Sequence, residues 1–194
     1  MNRVADVIVA GTGLVLTSPI LGLAALATKF DGGGPVLYRQ TRVGKDGDDF
    51  EVLKLRSMVV GAERLGTGYA VDQGDARITR VGRILRRTSI DELPQLWNVV
   101  RGDMSVIGPR PTLRYQVEQY DEHQRRRLDV RPGLTGWAQI HGRASLPWAE
   151  RIELDVWYVD HRSPRIDLEI LLRTPLALFR GTYRGAKGGW REKT

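Results

Sequence analysis

The chain has 194 residues, a formal net charge of +7 and no cysteine. That length suits one domain with a real core and is short for two, while the missing cysteine excludes disulfides, a thiolate nucleophile and a cysteine zinc site. The cationic surplus predicts an anionic partner: nucleic acid, an acidic membrane surface or a phosphorylated substrate.

From Val7 to Thr28 no residue is charged, and roughly 20 such residues suffice to cross a bilayer as a helix. Ala25-Leu26-Ala27 has the A-x-A form of a signal-peptide cleavage site. Against removal stand Asp6 close to the start, a thin basic region with only Arg3, and Pro19 inside the apolar stretch. Pro19 deletes a backbone N–H and kinks a helix, and Ser18 beside it is placed to hydrogen-bond a carbonyl that the kink frees. At about 1.5 Å per residue the stretch from Val7 to Ser18 reaches ~18 Å, slightly over half of a ~30 Å hydrocarbon core, and Pro19 to Thr28 returns a similar depth. Arg3 precedes the run and Lys29, Arg39 and Arg42 follow it, so the positive-inside tendency draws both ends to the cytoplasm. A re-entrant hairpin broken at Ser18-Pro19 satisfies both ends, and an ordinary kinked transmembrane anchor satisfies one.

Beyond this segment a Gly-Pro turn, a strand around Val36 to Thr41, a Gly-Lys-Asp-Gly turn and a strand around Phe50 to Leu55 predict a β-hairpin. The glycine-rich, polar "GAERLGTGYAVDQGDARIT" reads as a loop. From Arg80 to Arg87, Val81, Ile84 and Leu85 follow helical spacing among four arginines. Such a basic amphipathic helix lies on anionic headgroups or presents a solvated basic face.

Next comes "SIDELPQLWNVVRGDMSVIGPRP", with Asp91 and Glu92 side by side. Leu93, Leu96, Trp97 and Val100 form one apolar helical stripe, Ser89-x-x-Glu92 matches a capping box, and Pro94 is tolerable in a first turn. Acids at a helix N-terminus are favoured by the dipole, which is the purely structural account of the pair. The helix is expected to end near Arg101-Gly102, with "MSVIGPRP" a loop fixing Arg110 between two prolines. Arg86, Arg87 and Arg110 lie close in sequence to the acids. Salt bridges account for some of them, whereas a site holding a divalent cation and a phosphate accounts for all. In "RPGLTGWAQIHGR", Trp137 and Gln139 suggest a strand facing a cleft that holds a nucleobase or sugar, with ordinary packing the alternative for Trp137. Leu154, Trp157 and Tyr158 at helical spacing, and an apolar run from Ile166 to Phe179 interrupted by Pro175, suit either a membrane interface or the core.

Taken in order, the Ser18-Pro19 break, "GGGPVLYRQTRVG", "KLRSM", "RITRVGRILRRTSIDELPQLWNVVRGDMSVIGPRP", "RPGLTGWAQIHGR" and "LDVWYVDHRSP" closely resemble the monotopic bacterial phosphoglycosyl transferases, also called bacterial sugar transferases, in their minimal catalytic form. The resemblance implies an α+β fold: a mainly helical, membrane-associated domain with a small β-hairpin, residues 30–194, behind a re-entrant, kinked membrane helix, residues 1–29. It implies transfer of a phosphosugar from a UDP-sugar to polyprenol (undecaprenyl) phosphate on the cytoplasmic face of the bacterial inner membrane. It places the catalytic acid dyad on Asp91 and Glu92, with Asp91 the nucleophile and a ligand of Mg²⁺. Arg86 and Arg110 are its phosphate clamps, and Lys54, Arg56 and Gln139 join them in the substrate-binding set. Membrane lipid is a further partner, a homodimer is possible, and nucleic acid is not expected. The competing reading is a non-enzymatic, basic, membrane-anchored binding protein that uses its arginines for lipid or phosphate and its acids for capping.

Overall fold

The charge-free run lies inside one long helix, α1 (Arg3–Gly32), in the computed structural model, which describes residues 2–65, 74–142 and 145–179. The Asn2 side chain caps its start by accepting the Ala5 N–H at 2.9 Å. The helix runs on through Pro19, so it is one element and not two helices joined by a turn. Pro19 has no N–H to give the Val15 carbonyl, and the Ser18 hydroxyl donates to that oxygen instead, at 2.8 Å.

Both ends of α1 are fastened to the rest of the chain. After the hairpin strands β1 (Leu37–Val43) and β2 (Asp49–Leu55) come the helices α2 (Arg80–Thr88) and α3 (Gln95–Arg101) and a short strand, β3 (Ser105–Ile107). At the N-terminal end of α1 the Arg3 guanidinium donates to the Val99 carbonyl, which also accepts the Gly102 N–H, and, at 2.6 Å, to that of Val100, adding partners for carbonyls at the C-terminus of α3. Asp6, 2% exposed, accepts the Ser105 hydroxyl at 2.8 Å and the Val106 N–H at 2.9 Å. At the other end Ala24 packs with Leu55 and Leu85, and the Asp31 carboxylate accepts the Val81 N–H at 2.7 Å. Cleavage after Ala27 would discard Arg3, Asp6 and Ala24 together, so the structure speaks against a removable leader. The outer face of α1, with Ile8, Val15, Leu16, Leu23 and Leu26, stays exposed, and the helix is long and apolar enough to cross a membrane.

The hairpin pairs in the expected antiparallel sense, with Tyr38 opposite Lys54 and Arg42 opposite Phe50. Its turn is a 3-10 stretch, Lys45–Gly47, in which Asp46 adopts φ 57°. The chain then continues through α4 (Arg114–Val117), α5 (Glu122–Arg125), β4 (Gly133–Thr135), α6 (Trp137–Ile140), α7 (Trp148–His161) and α8 (Pro164–Phe179). The interfacial-or-core segments of the sequence are thus α7 and α8. The mainly helical α+β class with a small hairpin is the architecture the motifs imply.

Three local expectations are corrected. Part of "MSVIGPRP" is not loop but β3, which pairs in parallel with β4 through Ser105 opposite Gly133 and Ile107 opposite Thr135. All three β3 residues are buried, which favours a strand over a loop whose polar backbone would have no partner. Trp137 and Gln139 lie on a helix, α6, and not on a strand. Ser89 does not start α3: it sits at φ 57° as the C-terminal cap of α2, with its N–H on the Arg86 carbonyl, and leads only into a short 3-10 turn. No capping box forms there, and Pro94 is the residue that precedes α3. The loop expected over residues 61–79 falls partly outside the described residues.

One core joins Ala10 of α1, Leu96 and Val99 of α3, Val106 and Ile107 of β3, Tyr158 of α7 and Ile170 of α8. Beside it the backbones of β3 and β4 come so close that a Cβ on Gly108 would stand 2.9 Å from the Gly133 nitrogen. Only glycine permits that approach.

Candidate active site

Because Ser89 turns left-handed at the end of α2, the chain reverses at once, and Ile90–Glu92 makes a single 3-10 turn before Pro94 and α3. Asp91 and Glu92 occupy that turn. Asn98 of α3, fully buried, fixes the turn against the hairpin: its side-chain oxygen accepts the Leu53 N–H at 3.0 Å and its amide nitrogen donates to the Glu51 carbonyl at 2.7 Å. The amide thereby acts as one more rung on β2 and brings Lys54, the next residue of that strand, to the acids.

The two acids differ sharply in how they are held. Glu92 takes the Lys54 ammonium at 3.1 Å and the Arg110 guanidinium in a forked pair, with Arg110 Nη1 on Oε2 at 3.2 Å and Nη2 on Oε1. Burial alone would raise its pKa, but Arg110 and Lys54 overturn that and hold the carboxyl well below the usual range. Asp91 is 6% exposed. Among the described residues no hydrogen bond or ion pair ties its carboxylate down. Burial first, and then the charge of Glu92, push its pKa up, against the pull of Lys54, Arg86 and Arg110. One acid is thus a clamped, ionised bracket, and the other is a buried carboxyl with its oxygens uncommitted to hydrogen bonds. The capping account of the pair does not describe either.

Arg110 is braced through its backbone. The Pro109 carbonyl accepts the Gly133 N–H at 2.8 Å, the Arg110 carbonyl accepts Arg127 Nη2 at 2.9 Å, and the Thr112 carbonyl accepts the Val43 N–H at 2.9 Å. Arg127 is itself buried and paired with Asp155 of α7 at 2.5 Å. Burial raises the Asp155 carboxyl to about 6 despite that partner.

The structure therefore brings Asp91, Glu92, Lys54, Arg86 and Arg110 into one electrostatic cluster. Arg56 is elsewhere: it is buried, and Nη2 donates to the Gly33 carbonyl, tying the end of α1 to the end of β2. Gln139 lies on α6 beside Gly136, with the carbonyl of Gly108 close by, and both of its amide atoms are buried without a hydrogen-bond partner among the described residues. Two members of the assembly escaped the sequence reading. Asn98 looks like any polar residue of a helix, and Arg42, whose half-buried guanidinium reaches the Pro111 carbonyl at 3.4 Å, counted only as a basic flank of α1. Strand alternation was the available signal for Arg42, since it puts residues 38, 40 and 42 on the same face of β1.

The residues that could hold a divalent cation here are few. Among the described residues no three His, Asp or Glu side chains converge on a point, and Glu92 is already occupied. Asp91 is the carboxylate left to offer, which suits Mg²⁺, an ion commonly held by one or two carboxylates together with substrate phosphates and water.

Comparison with known proteins follows the same lines. The chain is 47% identical over 186 residues to a UDP-glucose:undecaprenyl-phosphate glucose-1-phosphate transferase of Caulobacter vibrioides, covering 92% of this chain and 69% of that protein. It is 43% identical over 174 residues to the uncharacterized sugar transferase EpsL of Bacillus subtilis, covering 90% and 85%. It is 40% identical over 198 residues to the exopolysaccharide production protein ExoY of Rhizobium meliloti, covering 94% and 88%. Other relatives are longer: the chain spans 44% of an N-acetylgalactosaminephosphotransferase of Aeromonas hydrophila at 41% identity. The family model described as bacterial sugar transferase matches residues 1–181, and the chain belongs to that family.

Proposed function

We propose that this chain is a polyprenyl-phosphate phosphoglycosyl transferase that works in two half-reactions through Asp91. In the first, an Asp91 oxygen attacks the sugar-bearing phosphorus of a UDP-sugar, the bond from that phosphorus to the bridging oxygen breaks, and UMP departs with the electron pair. In the second, a phosphate oxygen of polyprenol phosphate attacks the same phosphorus, releasing Asp91 and forming the polyprenyl-diphosphate-sugar. The single observation that carries this reading is the asymmetry of the acid pair: Glu92 is pinned by Lys54 and Arg110, while Asp91 beside it is left to react. Carboxylates form covalent intermediates of this kind when nearby charge offsets their repulsion from the phosphate. Mg²⁺ bound at Asp91 would supply that charge and lower the pKa of the carboxyl. Arg110 and Arg86 meet the phosphate oxygens, Arg110 through a planar fork suited to them. The relatives named as undecaprenyl-phosphate transferases support the substrate classes.

The same reading sets α1 in the cytoplasmic leaflet of the inner membrane with both ends on the domain side. Arg3 and Asp6 at one end, and Ala24 and Asp31 at the other, contact one folded domain, which a straight crossing would pull apart.

The deciding experiment gives the detergent-solubilised protein a UDP-sugar and Mg²⁺ without lipid and analyses the rapidly quenched chain by mass spectrometry. A phosphosugar adduct on the peptide containing Asp91 is expected, together with one equivalent of UMP, and Asp91→Asn abolishes both with melting unchanged. Product formed with lipid but without any adduct would mean direct transfer in a ternary complex. No UMP release under any condition would leave a basic, membrane-anchored binding protein.

A further inference from the structure

Lys54, Arg110 and Arg42 stand around Glu92, and two of these three pair with its carboxylate. Lys54 and Arg110 share Glu92. Arg42, on β1, forms no ion pair among the described residues: its Nε and Nη2 meet the side-chain oxygen of Gln40 at 3.1 and 2.6 Å, and its Nη1 meets the Pro111 carbonyl at 3.4 Å. All its partners are thus neutral oxygens, although the guanidinium is half-buried. Arg42 is close enough to Arg110 for the two to repel, and its burial and that repulsion lower it to about 10, against a weaker opposite pull from Tyr38, Tyr115 and the already paired Glu92. Lys54 is lowered too, by burial and by Arg110 and Arg42. A brace for the Pro111 carbonyl does not explain this, because a neutral donor would make that bond without placing a third positive charge beside two others. Partly buried charge without a counterion is costly, and a site keeps it when a ligand supplies the opposite sign.

We propose that Arg42 is a third anion-binding residue of this site, taking a phosphate oxygen that Lys54 and Arg110 do not reach alone. The inference rests on the reading of the site as one for phosphorylated substrates. The chemistry it commits to is a phosphate oxyanion, which either the diphosphate of the nucleotide sugar or the headgroup of the phosphorylated lipid provides.

The test uses the full chain in detergent and metal-free buffer, with Arg42→Gln and Arg42→Lys beside the wild type. Two probes are titrated by the shift they cause in thermal unfolding: inorganic pyrophosphate, and a short-chain polyprenyl phosphate. Arg42→Gln is expected to weaken one probe about tenfold or more while its ligand-free midpoint equals or exceeds that of the wild type, because a repelling charge has been removed. Arg42→Lys, which keeps the charge and loses the fork, falls between. Loss confined to pyrophosphate assigns Arg42 to the donor diphosphate, and loss confined to the lipid assigns it to the acceptor. Unchanged affinity for both probes overturns the proposal, as does a lowered ligand-free midpoint in Arg42→Gln with no selective loss of either probe. Neither titration needs turnover. A wild type that binds pyrophosphate through Arg42 yet never releases UMP would refute the transferase reading and leave this one standing, and an active enzyme indifferent to Arg42→Gln would do the reverse.

Discussion

Replacing Asp6 with alanine tests whether the first turn of α1 is part of the folded domain. Asp6 is 2% exposed and is the acceptor for two buried donors, the Ser105 hydroxyl and the Val106 N–H, at 2.8 and 2.9 Å. Each donor stranded by Asp6→Ala loses a hydrogen bond to a charged group and keeps its desolvation cost, about 1–3 kcal/mol apiece. The Ser105 hydroxyl can rotate toward another acceptor and the Val106 amide cannot, so the sum falls at about 3 kcal/mol, a large share of the roughly 5–15 kcal/mol that holds a domain. Ser105→Ala keeps the Val106 bond and costs about 1 kcal/mol. The double variant then costs less than the two singles added, because they share one contact. Asp6→Asn retains an acceptor for Val106 and is intermediate. Denaturant unfolding of the detergent-solubilised protein reads all four, and amide exchange at Val106 reads the local bond. A loss below about 0.5 kcal/mol for Asp6→Ala, with Val106 still protected, would mean that α1 merely rests against the domain.

The remaining predictions concern topology, the clamp and pH. Single cysteines placed near residue 3 and near residue 31, with Arg3 and Asp31 themselves kept, should both resist a membrane-impermeant reagent applied to intact cells, and labelling near residue 3 alone would show a full crossing. Arg110→Lys keeps charge and loses the fork to Glu92, so activity should drop at least tenfold with the unfolding midpoint within a degree or two of wild type; full turnover would make Arg110 structural. Asp155 is raised from its unfolded value near 3.8 to about 6, so between those values the folded chain holds a proton that the unfolded chain has lost. Its contribution to stability therefore falls as pH rises across that window. Unfolding free energy measured from pH 4 to 6 should show this downward component in the wild type and lack it in Asp155→Asn.

The readable parts of this chain were those written in local spacing. The hairpin announced itself through two extended runs around a Gly-Lys-Asp-Gly turn, α2 through Val81, Ile84 and Leu85, and the repair of the Pro19 gap through Ser18 next to it. What escaped depends on partners far along the chain. Asp6 counted only as an argument against a signal peptide, because the donors it serves lie 99 and 100 residues away. The β3–β4 pair is three residues long on each side and joins strands more than 20 residues apart, which leaves no periodic trace. Ser89 matched a capping pattern, but a left-handed turn ended one helix there before the next began, and tertiary position overrode the motif. In the site, the acids and Arg110 stood out as a cluster in sequence, whereas Arg42 and Asn98 acquire meaning only from what they face.

The fastening of α1 at both ends also orders events during synthesis. α1 emerges ahead of the domain it packs against, and Val81, Val99, Val100, Ser105 and Val106, which complete its polar contacts, are made 50 to 100 residues later. At ~5–20 residues per second the interval is on the order of 3–20 s, far longer than a helix takes to form. Throughout it the Asp6 carboxylate lacks the Ser105 and Val106 donors that bury it in the finished chain, so the first turn of nascent α1 cannot be buried against the domain until its second half arrives. Chains stalled before residue 106 would therefore display an apolar helix with an open acidic end.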